Sequence, residues 1–328
     1  LEFRRVLFRS VNTRFQNRLR ALSGIPTLPS DGLNEAYRSR GINQIPHGFL
    51  SPAFLDWVTL REKFTEDELK LLIRVIFRHH LREFVKEDLI EDVIENDPCL
   101  RMLDFSFLEG IPVTSPIDDY LQESEILKRI HDMDDQQWYR WVCLKGTLNR
   151  LDYSASAGLP VEEIPPPGSR LLNSMDGFFR DRQPRPVQQY MKEFSGKNVV
   201  VIASTGVGKT EAALLWIGER KGFYTLPIRT AINAMYERIH CVPSKERDNA
   251  LGYKSVAVLH SDAIQVLFNE ILNNYETQEE AALEAQNQYE RAKLLSAPLT
   301  ICTVDQLFKF VFKHEGCESL LATLSVSS

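Results

Sequence analysis

Apolar positions recur at helical spacing through the first half of the chain and gather into short unbroken runs in the second. The clearest helix is predicted in "FTEDELKLLIRVIFRHHLREF", where Leu69, Leu72, Ile73, Ile76 and Phe77 fall on one face. Thr65 with Glu68 makes a capping box at its start, which satisfies two backbone donors that the helix itself leaves unpaired. The segment "SEILKRIHDMDDQQWYRWVCLKGTLNRLDYSASAG" reads as one or two further helices. No alternating strand pattern interrupts residues 11–158, so an all-α domain is expected there. Residues 159–185 contain three consecutive prolines and a glycine, and read as a linker or extended surface connection. From Pro186 onward the runs "NVVVIA", "GFYTLP", "SVAVLH" and "LTICT" predict strands, separated by helical patterns. Strands alternating with helices imply an α/β domain with a parallel sheet over residues 186–328. The acidic helix in "ILNNYETQEEAALEAQNQYERAKLL" reads as a solvated surface element.

Composition narrows the partners. The 328 residues suggest about two domains, and 43% hydrophobic with 26% charged content is ordinary globular usage. A net charge of -6 excludes a uniformly basic nucleic-acid coat but leaves room for a local basic groove. Five cysteines without a C-x-x-C argue against a zinc ribbon or disulfide framework, and for a reducing cytosol. No apolar run approaches the roughly 20 residues of a membrane span. The opening "LEFRRVLFRS" looks like a translated sequencing-adapter oligonucleotide, so residues 1–10 are expected to be an artefact; the alternative is a basic amphipathic start. Both ends of the chain are expected to be cut.

The chemistry centres on "ASTGVGKTE", which fits the phosphate-loop pattern except that Ala203 stands at the first glycine. Gly206 and Gly208 let the backbone bend close to phosphate oxygens, and the backbone N–H groups of Ser204, Thr205, Val207 and their neighbours turn toward negative charge. Lys209 supplies a point charge to the β- and γ-phosphates, and the Thr210 hydroxyl is suited to Mg²⁺. A predicted strand before the loop and the helix "TEAALLWIGER" after it supply the expected context. Alone, such a loop means only a nucleoside triphosphate.

The neighbouring segments narrow it. With "RPVQQ" upstream, "TLPIRTAINA" after the next strand and "TVDQL" after a later one, the second half resembles superfamily-two helicases. That resemblance implies ATP and Mg²⁺ as cofactors, Gln188 reading the adenine edge, and Glu211 closing the nucleotide motif. It also implies that Arg229, Thr230, Thr303 and Gln306 grip the phosphates of one nucleic-acid strand, roles their donors can fill. Taken singly, Arg229 reads as an ordinary surface arginine and Thr303 as an ordinary helix cap.

The first half sharpens the resemblance. "IPHGFLSPAFL", "IFRHHLREF" and "LKGTLNRLDYSASAG", in that order before the helicase motifs, are similar to the CRISPR-associated helicase–nuclease of type I systems, whose N-terminal domain is a helical HD-type metal nuclease. By resemblance, His47, His79, His80 and Asp152 match ligands of a divalent transition metal, a donor set that suits such ions. Ser156 matches a serine after the aspartate, and Tyr153 stands where many relatives have histidine. His131–Asp132 is read instead as a solvated helix face, because it falls after the tandem histidine. The resemblance implies single-stranded DNA and a CRISPR RNA-guided surveillance complex as partners, and no membrane.

It also implies missing parts. The HD pair is expected upstream of Val11, and the motif II carboxylates downstream of "ESLLATLSVSS", so this piece by itself is expected to be inactive. Two other readings remain. One is a lobe of another DNA or RNA helicase with a non-catalytic helical domain, and the other a nucleotide-gated binding module.

Overall fold

The computed structural model describes residues 47–79, 87–96, 110, 112–115, 134–272, 275–309 and 317–325. The chain divides into two compact units, Leu1–Gly158 and Leu159–Ser328.

The described part of the first unit is helical. It comprises α1 (His47–Leu50), a 3₁₀ turn at Ser51–Phe54, α2 (Trp57–Arg61), α3 (Glu66–Arg78), α4 (Glu87–Asn96) and α5 (Asp135–Ala157). The capping box at α3 forms as the sequence predicts: Thr65 N–H donates to Glu68 Oε2 at 2.9 Å, and Glu68 N–H donates to Thr65 Oγ1 at 3.4 Å. Leu69, Ile73, Val75 and Phe77 are buried along α3, whereas Leu72 and Ile76 stay half-buried. Phe77 meets Phe49 of α1 edge-on, with ring centroids 4.6 Å apart. The stretch read as one or two helices carries one described helix, α5. Asp134 caps its start by accepting from Gln137 N–H at 2.8 Å, and Gly158 ends it with φ +69°. α3 packs against α5. The His131–Asp132 pair lies outside the described residues.

The second unit starts with a 3₁₀ turn at Pro167–Ser169, α6 (Leu171–Phe179) and α7 (Pro186–Glu193). It continues with α8 (Lys209–Ile217), β1 (Gly222–Thr225), α9 (Arg229–His240), β2 (Val256–Leu259), α10 (Ala263–Ile271), α11 (Gln278–Lys293), β3 (Leu299–Cys302), α12 (Val304–Phe308) and α13 (Cys317–Ser325). The three strands form a parallel sheet in the order β1-β3-β2, with Gly222 and Val256 both in register with Leu299. β3 is buried at all four positions, as a central parallel strand covered on both faces must be. Leu214, Ile232, Ile239, Tyr253, Val258 and Ile301 lie in the core between this sheet and its helices.

Two expectations change here. Residues 159–185 are more than a connection, because α6 inserts Leu171 and Met175 into the core of the second unit. Prolines 165–167 pointed to an extended chain and do so correctly up to the 3₁₀ turn; the apolar "LLNSMDGFF" beyond them has a face to bury. The run "NVVVIA" does not form a strand with the described ones. Val200 is 89% and Ile202 98% exposed. β-branched residues favour extended backbone, but a strand exists only where a neighbour completes its hydrogen bonds.

Among the described residues, Cys143, Cys241, Cys302 and Cys317 are free thiols, and no helix is long and apolar enough to cross a membrane. Burial pushes the Cys302 thiol up to about 12, so it is an inert core group.

Candidate nucleotide site and nucleic-acid interface

The phosphate loop sits where the sequence puts it, running into the N-terminus of α8. Gly206 and Gly208 have φ of +84° and +87°, the left-handed region that glycine enters without cost. Gly208 is required for a second reason. A Cβ there would stand 2.1 Å from Gln188 Nε2. Thr210 is half-buried, and Lys209 is exposed with its Nζ donating to the Ala203 carbonyl at 2.9 Å. Ser204 and Thr205 are exposed and Val207 is half-buried.

α7 braces this loop. Its proline at the first turn starts the helix without wasting a donor. Gln188 is 4% exposed, and both ends of its amide are engaged: Oε1 accepts from Arg185 N–H at 2.8 Å, and Nε2 donates to Gly208 O at 3.3 Å. The Arg185 guanidinium donates to Gly206 O. Glu211, the residue after Thr210, is 4% exposed and pairs with Arg238 of α9.

Together these groups line a cleft of about 560 Å³. Its far part is formed by Phe178, Phe179, Arg182, Asp248 and Asn249. Arg182 lies over the Phe178 ring at 4.3 Å and donates to the Asp248 carbonyl at 3.0 Å. Four cations (Arg182, Arg185, Lys209, Arg238) and two acids (Glu211, Asp248) line the cleft, an excess that favours a polyanion. The sequence reading missed Phe178, Phe179, Arg182, Arg185, Arg238, Asp248 and Asn249. The first four lie in or just after the stretch taken for a linker, where an adjacent aromatic pair followed by arginines was the available signal. Arg238 carries no local signal, because only the packing of α9 brings it to Glu211.

A second cluster gathers at the carboxyl edge of the sheet, where parallel sheets commonly place ligand contacts. Arg229 and Thr230 begin α9 after β1, and Thr303 follows β3, to which β1 is hydrogen-bonded. Arg229 and Thr230 are exposed, Thr303 is 9% exposed, and Gln306 is half-buried with its Oε1 accepting from Lys309 Nζ at 2.7 Å. Arg229 Nη1 donates to Ser261 Oγ at 2.9 Å and to the Asp262 carboxylate. Behind this turn His260 is 1% exposed: Nδ1 accepts from Asp262 N–H at 3.2 Å and Nε2 lies 2.7 Å from Asn233 Oδ1. Those partners fix a neutral imidazole with its proton on Nε2, and burial, more than Arg229, holds its pKa below the usual histidine range.

In the first unit, His47 opens α1 and His79 caps α3. A Cβ on Gly48 would lie 3.1 Å from His79 Nδ1, so the residue after His47 rests directly on the His79 ring. His79 is 8% exposed and its Nδ1 is bonded to the Ile76 carbonyl. Asp152 is half-buried on α5. His80, the His47 side chain and the Ser156 side chain lie outside the described residues. Among the described residues no three His, Cys, Asp or Glu side chains gather closely enough to hold a metal.

Residues 185–324 match the DEAD/DEAH box helicase family model. The chain is 29% identical to the CRISPR-associated nuclease/helicase Cas3 of Methanothermobacter thermautotrophicus over 191 residues, 56% of this chain and 21% of that protein. It is 27% identical to a CRISPR-associated nuclease/helicase Cas3 of Methanocaldococcus jannaschii over 174 residues, 50% of this chain and 22% of that protein. The chain thus spans about a fifth of the length of the curated relatives it matches. No solved structure matches it significantly. A helicase domain of this kind implies the use of ATP and Mg²⁺ and a nucleic acid as partner. Residues 185–324 are therefore similar to a DEAD/DEAH box helicase domain, in a chain similar over about half its length to CRISPR-associated nuclease/helicases.

Proposed function

We propose that the chain is part of an ATP-dependent, single-stranded-DNA helicase–nuclease of CRISPR interference, with the helicase chemistry in its second unit. The observation that carries this reading is the cationic cleft on the phosphate loop, together with a cluster of phosphate donors at the carboxyl edge of the same sheet. Lys209 would hold the β- and γ-phosphates and Thr210 the Mg²⁺, while Arg229, Thr230, Thr303 and Gln306 track the DNA backbone. When bound, Mg²⁺ would neutralise charge that builds on the transferred phosphoryl group. In a whole protein of this kind an RNA-guided complex would deliver the DNA.

Arg229 offers the direct test. Arg229→Ala is expected to weaken single-stranded DNA binding several-fold irrespective of sequence, and to lower the slope of log affinity against log salt by about 0.7. Fluorescence anisotropy over a salt series measures both. An unchanged slope would remove Arg229 from the interface.

In the first unit we propose a divalent transition metal held by His47, His79, His80 and Asp152. The His79 ring supports this: its bond to the Ile76 carbonyl puts the proton on Nδ1 and the lone pair on Nε2, the arrangement typical of a metal-binding imidazole. Mn²⁺ titration by calorimetry is expected to lose tenfold or more in affinity in His79→Ala, since orienting contacts alone alter metal affinity by 10–100-fold. Equal Mn²⁺ affinity in both proteins would leave the nuclease reading without its site.

A further inference from the structure

One wall of the cleft can be followed contact by contact. It starts at Glu211, next to the phosphate-binding Thr210, and passes to Arg238 through their ion pair. Arg238 Nε donates to the Asn249 carbonyl at 3.4 Å. Asp248 comes next, its carbonyl accepting from Arg182, and Arg182 covers the Phe178 ring. This order runs from phosphate chemistry to an aromatic and guanidinium surface of the kind on which a base stacks. Asp248 stands between the two ends of this chain of contacts, the place a sugar would take with phosphates at Lys209 and a base against Phe178.

Its exposure and its acceptor chemistry fit a sugar and not a phosphate. The Asp248 side chain is 83% exposed, and Arg182 Nη2 lies 4.0 Å from its carboxylate. Glu211, the other acid lining the cleft, is buried and matched by Arg238. An acceptor-only group beside a polyphosphate repels it, whereas the same group beside a ribose meets two hydroxyl donors. Two contacts hold its loop in place: Arg182 on the carbonyl of Asp248 and Arg238 on that of Asn249. The carboxylate is thus positioned by its backbone and needs no side-chain partner.

We infer that Asp248 accepts hydrogen bonds from the ribose hydroxyls of the nucleotide, so that the site selects ribonucleotides over deoxyribonucleotides. The inference rests on the reading of the phosphate loop as the nucleotide site. It adds a specificity residue for the sugar that no helicase motif in the sequence supplies.

Isothermal titration of the full chain with MgATP, its 2′-deoxy analogue and its 3′-deoxy analogue tests it, in wild type, Asp248→Ala and Lys209→Ala. The wild type is expected to bind at least one deoxy analogue about tenfold more weakly than ATP, as loss of a charge-assisted hydrogen bond implies. Asp248→Ala should weaken ATP by that factor and leave the discriminated analogue unchanged. Equal weakening of ATP and both analogues would reduce Asp248 to a loop residue and overturn the inference, as would unchanged ATP binding. If Lys209→Ala binds all three nucleotides as the wild type does, the phosphate-loop reading itself fails and takes the inference with it.

Discussion

Arg238→Ala is expected to destabilise the second unit by about 3 kcal/mol, the low end of the cost of breaking a buried ion pair. The reason is the partner it leaves behind. Glu211 has a side chain only 5% exposed, while Arg238 is 26% exposed. Removing the arginine strands a carboxylate in the core and also frees the Asn249 carbonyl that Arg238 holds. Hydrogen exchange of the β3 and α8 amides reports on this unit by itself. A second variant separates charge from packing. Glu211→Gln combined with Arg238→Ala removes the stranded charge and should recover a large part of the loss, so the two changes are non-additive. If the double variant is as unstable as Arg238→Ala, the cost is lost packing and the ion pair is not its cause.

Lys209→Ala is expected to lower MgATP affinity by about a hundredfold, as removal of charge-assisted bonds to two phosphates implies, with little effect on stability. Lys209 is exposed and, among the described residues, its Nζ donates to the Ala203 carbonyl, so the fold loses one surface hydrogen bond. Titration calorimetry measures the affinity, and hydrogen exchange of the β3 amides checks the fold. Retained affinity would mean that the cleft holds something other than a polyphosphate, and the helicase reading would lose its motor. The contrast between the two arginine and lysine variants is informative in itself. Arg238 meets a buried partner in the fold, whereas Lys209 is exposed and would serve a ligand.

A good part of this was legible in the chain. The helical period and capping box of α3 depend on residues three and four apart, so local sequence contains the whole interaction. The same holds for the phosphate loop. Its glycines, lysine and threonine lie within a few residues, and the left-handed φ at Gly206 and Gly208 is what those glycines are for. Parallel strands at "GFYTLP", "SVAVLH" and "LTICT" also form, because their flanking helices lie close enough in sequence to cover both faces.

The failures were equally physical. "NVVVIA" has the strongest strand composition in the chain, yet Val200 and Ile202 stand in solvent. A strand is a pairing, and no local pattern states whether a partner is present. "LLNSMDGFF" follows three prolines, which locally favour a connection, yet Leu171 and Met175 bury themselves in a core built from helices and strands far along the chain.

By itself, then, the sequence determined the two-unit order, the long capped helix α3, the strand-forming segments that pair, and the glycine-rich turn that leads into α8. Each of these is a property of a short window, where spacing alone sets geometry. Only the tertiary structure decided that Gln188 braces Gly208, that Arg238 matches Glu211 across 27 positions, and that Asp248 reaches the nucleotide cleft. Those contacts join segments whose separation in sequence says nothing of their distance in space. Burial sets their energies, and burial exists only once the chain has folded.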